Sequence, residues 1–150
     1  MDDAAVFFTA MVPVLELRAA IPLGFSLDLP PFRTFLLAVA GNLVPVPFII
    51  LLIRRVFRWL KTHSRLRGRI EALESKAHLK GRLVRKYRTL GLCLLVAVPL
   101  PGTGAWTGAL VAAMLDIRLR SALPAIVLGV LIAGCVVMGA VYGLVTVVVK

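Results

Sequence analysis

Glu16 and Arg18 carry charge in a stretch that is otherwise uncharged from Ala4 to Leu27. Ionisable residues inside membrane-length apolar segments are costly and mark function by default. A carboxyl group in a desolvated site can trade a proton near neutral pH. An arginine stays charged and can hold an oxyanion through two parallel hydrogen bonds. In a regular helix, positions i and i+2 point to nearly opposite sides. Glu16 and Arg18 therefore face different partners unless the backbone is extended there, as nearby Pro13 and Pro22 allow. A second group lies at Pro101-Gly102-Thr103-Gly104. Glycine permits close backbone approach, Thr103 adds a hydroxyl, and a helix restarting near Ala105 presents free N–H groups with a partial positive charge. Trp106 lies just inside that helix and could stack on a substrate or cation. The candidate substrate- or ion-binding set is therefore Glu16, Arg18, Pro101, Gly102, Thr103, Gly104 and Trp106, with Tyr142 a weaker candidate. The plainer alternative puts Glu16 and Arg18 at the membrane interface, makes the glycine run a tight turn capped by Thr103, and packs Trp106 in the core.

No catalytic constellation accompanies these residues. His63 and His78 both lie in a polar block, without metal-ligand neighbours, and Glu71 and Glu74 sit among lysines and arginines. There is no Walker loop, no CxxC and no Cys/His metal spacing. Cys93 and Cys135 lie in apolar runs, where buried, unpaired thiols are expected to be inert. The sequence argues against an enzyme and calls for no cofactor or metal.

The elements that must position the candidate set are apolar. Of 150 residues 60% are hydrophobic and mean hydropathy is +0.95, beyond the ~45–50% apolar content of soluble domains. The net charge is +11, and all of it resides between Arg54 and Arg88, where 13 bases meet 2 acids. A hydrocarbon core of about 30 Å needs about 20 helical residues. Thr34–Ile53 is an uncharged run of 20, with Asn42 as its one amide and Pro45 and Pro47 as expected kinks. Ser121–Val149 is an uncharged run of 29. Its Gly139-x-x-x-Gly143 spacing suits close helix packing. The Met1-Asp2-Asp3 start is acidic where a cleavable signal peptide needs a basic one.

The other two apolar stretches are broken. Thr89–Leu115 contains Pro99-Leu100-Pro101-Gly102-Thr103-Gly104, which does not stay helical. An arm of 10 residues precedes the break and one of 11 follows it. Each spans about 15 Å, half a membrane. That is the length pattern of a re-entrant hairpin, tolerated where protein or an aqueous cavity covers the backbone. The first stretch matches it. Val12-Pro13 opens its break as Val98-Pro99 opens the other, Ala19 corresponds to Ala105, and Asp28 precedes Arg33 as Asp116 precedes Arg118 and Arg120.

The expected fold is an all-α integral membrane protein with one domain, residues 1–150. It has two inverted repeats, 1–53 and 89–150, each a re-entrant helical hairpin followed by a transmembrane helix. A basic amphipathic helical segment, 54–88, joins them. Lys/Arg-rich loops stay cytoplasmic, which puts both termini outside; four full spans with both termini inside also satisfy this rule. In the basic segment, Val56, Leu60, Leu66, Ile70, Leu73, Ala77, Val84 and Tyr87 recur as one helix face. That face suits anionic lipid, or else dimerisation, rather than nucleic acid, and Trp59 sits where an interfacial aromatic belongs.

Glu16-Leu17-Arg18-Ala19-Ala20-Ile21-Pro22 and Pro99-Leu100-Pro101-Gly102-Thr103-Gly104-Ala105-Trp106-Thr107-Gly108 resemble the paired signatures of the small multidrug export proteins of bacteria and archaea. That family is distantly similar to the DedA superfamily, whose members have inverted hairpin-plus-helix repeats and some of which move lipid carriers such as undecaprenyl phosphate. The resemblance implies a multi-pass secondary transporter of the prokaryotic inner (plasma) membrane, possible proton coupling included. Its expected cargo is small amphiphilic or cationic compounds; the alternatives are anionic lipid carriers such as polyprenyl phosphate, or a scaffold that transports nothing. The expected partners are membrane lipids, the small-molecule or lipid-phosphate substrate and a second copy in a homodimer, with no nucleic acid.

Overall fold

The computed structural model describes residues 1–62, 81–100 and 102–148. Seven helices and no strands occur among them: α1 Asp2–Met11, α2 Glu16–Ser26, α3 Pro31–Leu43, α4 Pro45–Thr62, α5 Gly81–Ala97, α6 Ala105–Met114 and α7 Leu119–Val148. Residues 63–80, with His63, His78, Glu71, Glu74 and most of the basic segment, lie outside the described residues, as does Pro101.

Two apolar helices are long enough to cross a membrane, Pro31–Trp59 and Leu119–Gly143. The first joins α3 to α4 through Val44, which keeps right-handed helical angles and donates to Ala40 O at 3.1 Å. Pro45 and Pro47 have no N–H to continue the ladder, so the helix is interrupted at this point rather than ended.

The four shorter helices form two pairs, each folding back across a break. α1 and α2 pack on each other and both pack on α3; α5 and α6 pack on each other and both pack on α7. The closest approaches occur at glycines. A Cβ at Gly41 would collide with Phe7 O and lie 3.0 Å from the Ala10 Cβ, while one at Gly129 would lie 2.8 Å from Cys93 O and 2.7 Å from the Val96 Cβ. α2 and α6 also end alike. Asp28 and Asp116 take positive φ values of 55° and 50°, a conformation aspartate tolerates better than most side chains. In the first, Leu29 N–H donates to Gly24 O and Asp28 N–H to Phe25 O. In the second, Ile117 N–H donates to Ala112 O and Asp116 N–H to Ala113 O. Both are Schellman closures.

The interior is built from small and β-branched residues: Ala20, Ala38, Ala105, Ala109, Ala112, Ala122 and Ala125 are buried with Val46, Ile50, Ile126 and Val130. Large apolar side chains face outward instead, among them Phe48, Leu52, Leu94, Leu128 and Ile132. An apolar exterior over a small-residue interior suits lipid as the surrounding solvent. Cys93 is buried as expected, but Cys135 is exposed on the outer face of α7, so only one of the two thiols is enclosed.

Candidate functional site

The two chain breaks meet each other. The first runs through Val12–Leu15, where Pro13 cannot donate and Val14 takes φ 78°. Glu16 follows with φ 47° and opens α2. The backbone there is left-handed rather than extended. It still aims Glu16 and Arg18 at two partners, and both partners belong to the second break.

That second break is organised by Thr103. Its hydroxyl accepts from Leu100 N–H at 3.1 Å and has Val98 O at 2.6 Å and Leu100 O at 2.9 Å as acceptors for its single proton. Gly102 takes φ 84° and Gly104 φ 143°, conformations that favour glycine. Thr107 Oγ1 donates to Gly102 O at 2.9 Å, tying α6 back to the turn.

α6 begins at Gly104, which has no side chain to cap it. The cap comes from the other half of the chain. Glu16 Oε1 accepts from Trp106 N–H at 3.2 Å, placing a carboxylate at the positive end of the helix. Glu16 is only 5% exposed. Glycine at 104 is what admits it, since a Cβ there would overlap the carboxylate, 2.6 Å from its Cδ. Arg18 Nη2 donates to Thr103 O and, at 3.0 Å, to Thr103 Oγ1. The Trp106 indole N–H donates to Met11 O at 3.2 Å, satisfying a terminal carbonyl of α1. Gly102 is exposed, with open space where a Cβ would stand.

The structure thus brings Glu16, Arg18, Thr103, Gly104 and Trp106 into one hydrogen-bonded cluster. Gly102 shapes the turn without touching the charged pair, and Pro101 falls outside the described residues. Tyr142 lies elsewhere, packed edge-on against Phe25 with ring centroids 5.2 Å apart. Asn42 was not among the candidates. It is fully buried and lines the same interior as Glu16, Arg18, Gly104, Ala105, Val96 and Val130. The signal available for it was its standing as the sole amide in a 20-residue uncharged run. The space among these side chains is too small to admit a water molecule.

The far end of α6 is held as firmly. Arg54 Nη2 donates to Ile117 O, and Arg88 Nη1 donates to Leu115 O at 3.3 Å. Cations at the carbonyl end and a carboxylate at the amide end match the helix dipole at both poles. No group of His, Cys, Asp and Glu among the described residues could hold a metal ion.

Residues 16–136, from the Glu16 cap to the middle of α7, match the family described as "Putative small multi-drug export protein". No curated protein and no solved structure matches the chain.

Proposed function

The chain belongs to the small multi-drug export family, and from that membership we propose that it is a multi-pass secondary transporter of the prokaryotic inner membrane that exports small amphiphilic cations, with Glu16 as cation site and proton carrier. One observation carries the choice of cargo: the two groups best suited to an anion are already engaged. The N-terminus of α6 holds the Glu16 carboxylate, and Arg18 is bound to Thr103. A cation arriving at the cluster meets a carboxylate and backbone carbonyls. A polyprenyl phosphate would have to displace one of them. The packing of two breaks around a buried acid and a half-buried base favours transport over a scaffold.

Re-entrant hairpins in two inverted repeats are part of this proposal, and four features support them. The Gly41 contacts with Phe7 and Ala10 recur at Gly129 with Cys93 and Val96, and the Asp28 closure recurs at Asp116. The matching residues stand 86 apart up to the breaks and 88 apart beyond them, so Ala105 corresponds to Leu17 rather than to Ala19. Depth agrees as well. α6 has 10 residues, about 15 Å, and its carbonyl end is tied to two arginines of the basic segment. α1 also has 10 residues; its start pairs with Arg33 through Asp3 at 2.5 Å and its end meets Trp106. Glu16 therefore sits about half a membrane from either polar boundary.

Efflux of a cationic dye from proteoliposomes tests the reading. We expect a pH gradient to drive efflux in the wild type. Glu16→Gln, which keeps the cap acceptor and loses the titratable proton, should abolish that dependence. A wild type that moves a labelled polyprenyl phosphate and no cation would replace this proposal with the lipid-carrier one.

A further inference from the structure

Asn42 is 0% exposed, and neither its Oδ1 nor its Nδ2 meets a hydrogen-bond partner. Buried amide atoms are almost always paired, and leaving one unpaired destabilises the fold. Inside a membrane the surrounding solvent offers no replacement. Packing does not explain the residue. Its counterpart in the second half, 88 residues on, is Val130, which is equally buried and lines the same interior. An apolar side chain therefore serves at this depth of the fold, and the amide stands where packing accepts valine. It lines one small interior space together with Glu16, Gly104 and Ala105.

We propose that Asn42 is a ligand-binding residue that comes into use when the two breaks part, its Oδ1 accepting a hydrogen bond from the N–H of a protonated amine held beside Glu16. The amide then selects primary, secondary and tertiary ammonium heads over quaternary ones, which have no N–H to give. The inference rests on the transport reading above for the presence of a cation at this site. It adds the chemical class of the head group and the residue that reads it. An acceptor is the useful group here because an ammonium head offers only N–H donors.

The test uses the full chain in lipid nanodiscs with hexylammonium and hexyltrimethylammonium as probes. Binding is measured by calorimetry at pH 7, and Tm is measured without ligand. The variants are Asn42→Val, the residue the other half carries, and Asn42→Leu, which keeps the branched outline of the amide. We expect both variants to raise Tm by about 2–4 °C, because unpaired buried amide atoms are removed. We expect both to bind hexylammonium about tenfold or more weaker, the effect of losing a hydrogen bond to a charged group. Binding of hexyltrimethylammonium should stay within about twofold of wild type. A fall in Tm for both variants would make Asn42 structural and overturn the inference. Equal losses for the two probes, or no loss for either, would overturn it while leaving cation transport standing. A wild type that binds neither probe would overturn the inference and the transport reading together.

Discussion

At the scale of single residues, the two glycines of the second break separate space from conformation. Gly102 has φ 84° with open surroundings, and Gly104 has φ 143° with the Glu16 carboxylate where a Cβ would go. Alanine at 102 should cost about 1–2 kcal/mol of backbone strain and leave transport measurable. Alanine at 104 should expel Glu16 from the helix end and abolish cation efflux while the protein still inserts. Efflux from both variants in proteoliposomes, beside their yield in the membrane fraction, checks the contrast. Arg18 makes a different demand. Arg18→Gln removes a fixed charge whose nitrogen serves two atoms of Thr103, so the second break should loosen. The expected loss of stability is about 1.5–3 kcal/mol, the range for a hydrogen bond to a charged group, read from thermal unfolding in detergent.

At the scale of elements, α6 is held by its ends. Glu16 caps one pole, and Arg54 and Arg88 cover the other. A 10-residue helix has little stability of its own, so these contacts decide whether it persists. The double variant Arg54→Gln, Arg88→Gln should let the closing turn fray. Amide exchange at Leu115 and Ile117, which donate to Val111 O and Ala112 O at 2.9 Å, should become about tenfold faster or more. The helix itself was legible in the sequence, because proline and glycine punctuate the approach to it and Asp116 echoes Asp28 beyond it. Its anchors were not. Glu16 meets Trp106 across 90 positions and Arg18 meets Thr103 across 85, and local spacing cannot report pairs that only the packing of two halves creates. Asn42 was hidden for a related reason. One amide in an apolar run reads as tolerable in a span, and its lack of partners exists only in three dimensions.

At the scale of the whole molecule, the two hairpins should open toward opposite sides of the membrane. The Asp28 turn lies beyond α2, at the end where Asp3 pairs with Arg33. The Asp116 turn lies at the end where Arg54 and Arg88 gather. With Cys93 and Cys135 replaced by serine, Asp28→Cys should react with an impermeant thiol reagent added to intact cells, whereas Arg118→Cys should react only after the membrane is opened. Labelling of both from one side would place the turns together and remove the inverted arrangement. The capped state of α6 also has a thermodynamic consequence. The α6 helix end is a tethered competitor for Glu16: it holds the carboxylate that must be released before a cation can be bound there, at an effective concentration no free solute can match. Apparent affinity is the intrinsic affinity multiplied by the fraction of molecules whose tether is released, so a protein released about 1% of the time binds about a hundredfold more weakly than its open form would. A tight intrinsic site can thereby load a cargo and still let it go.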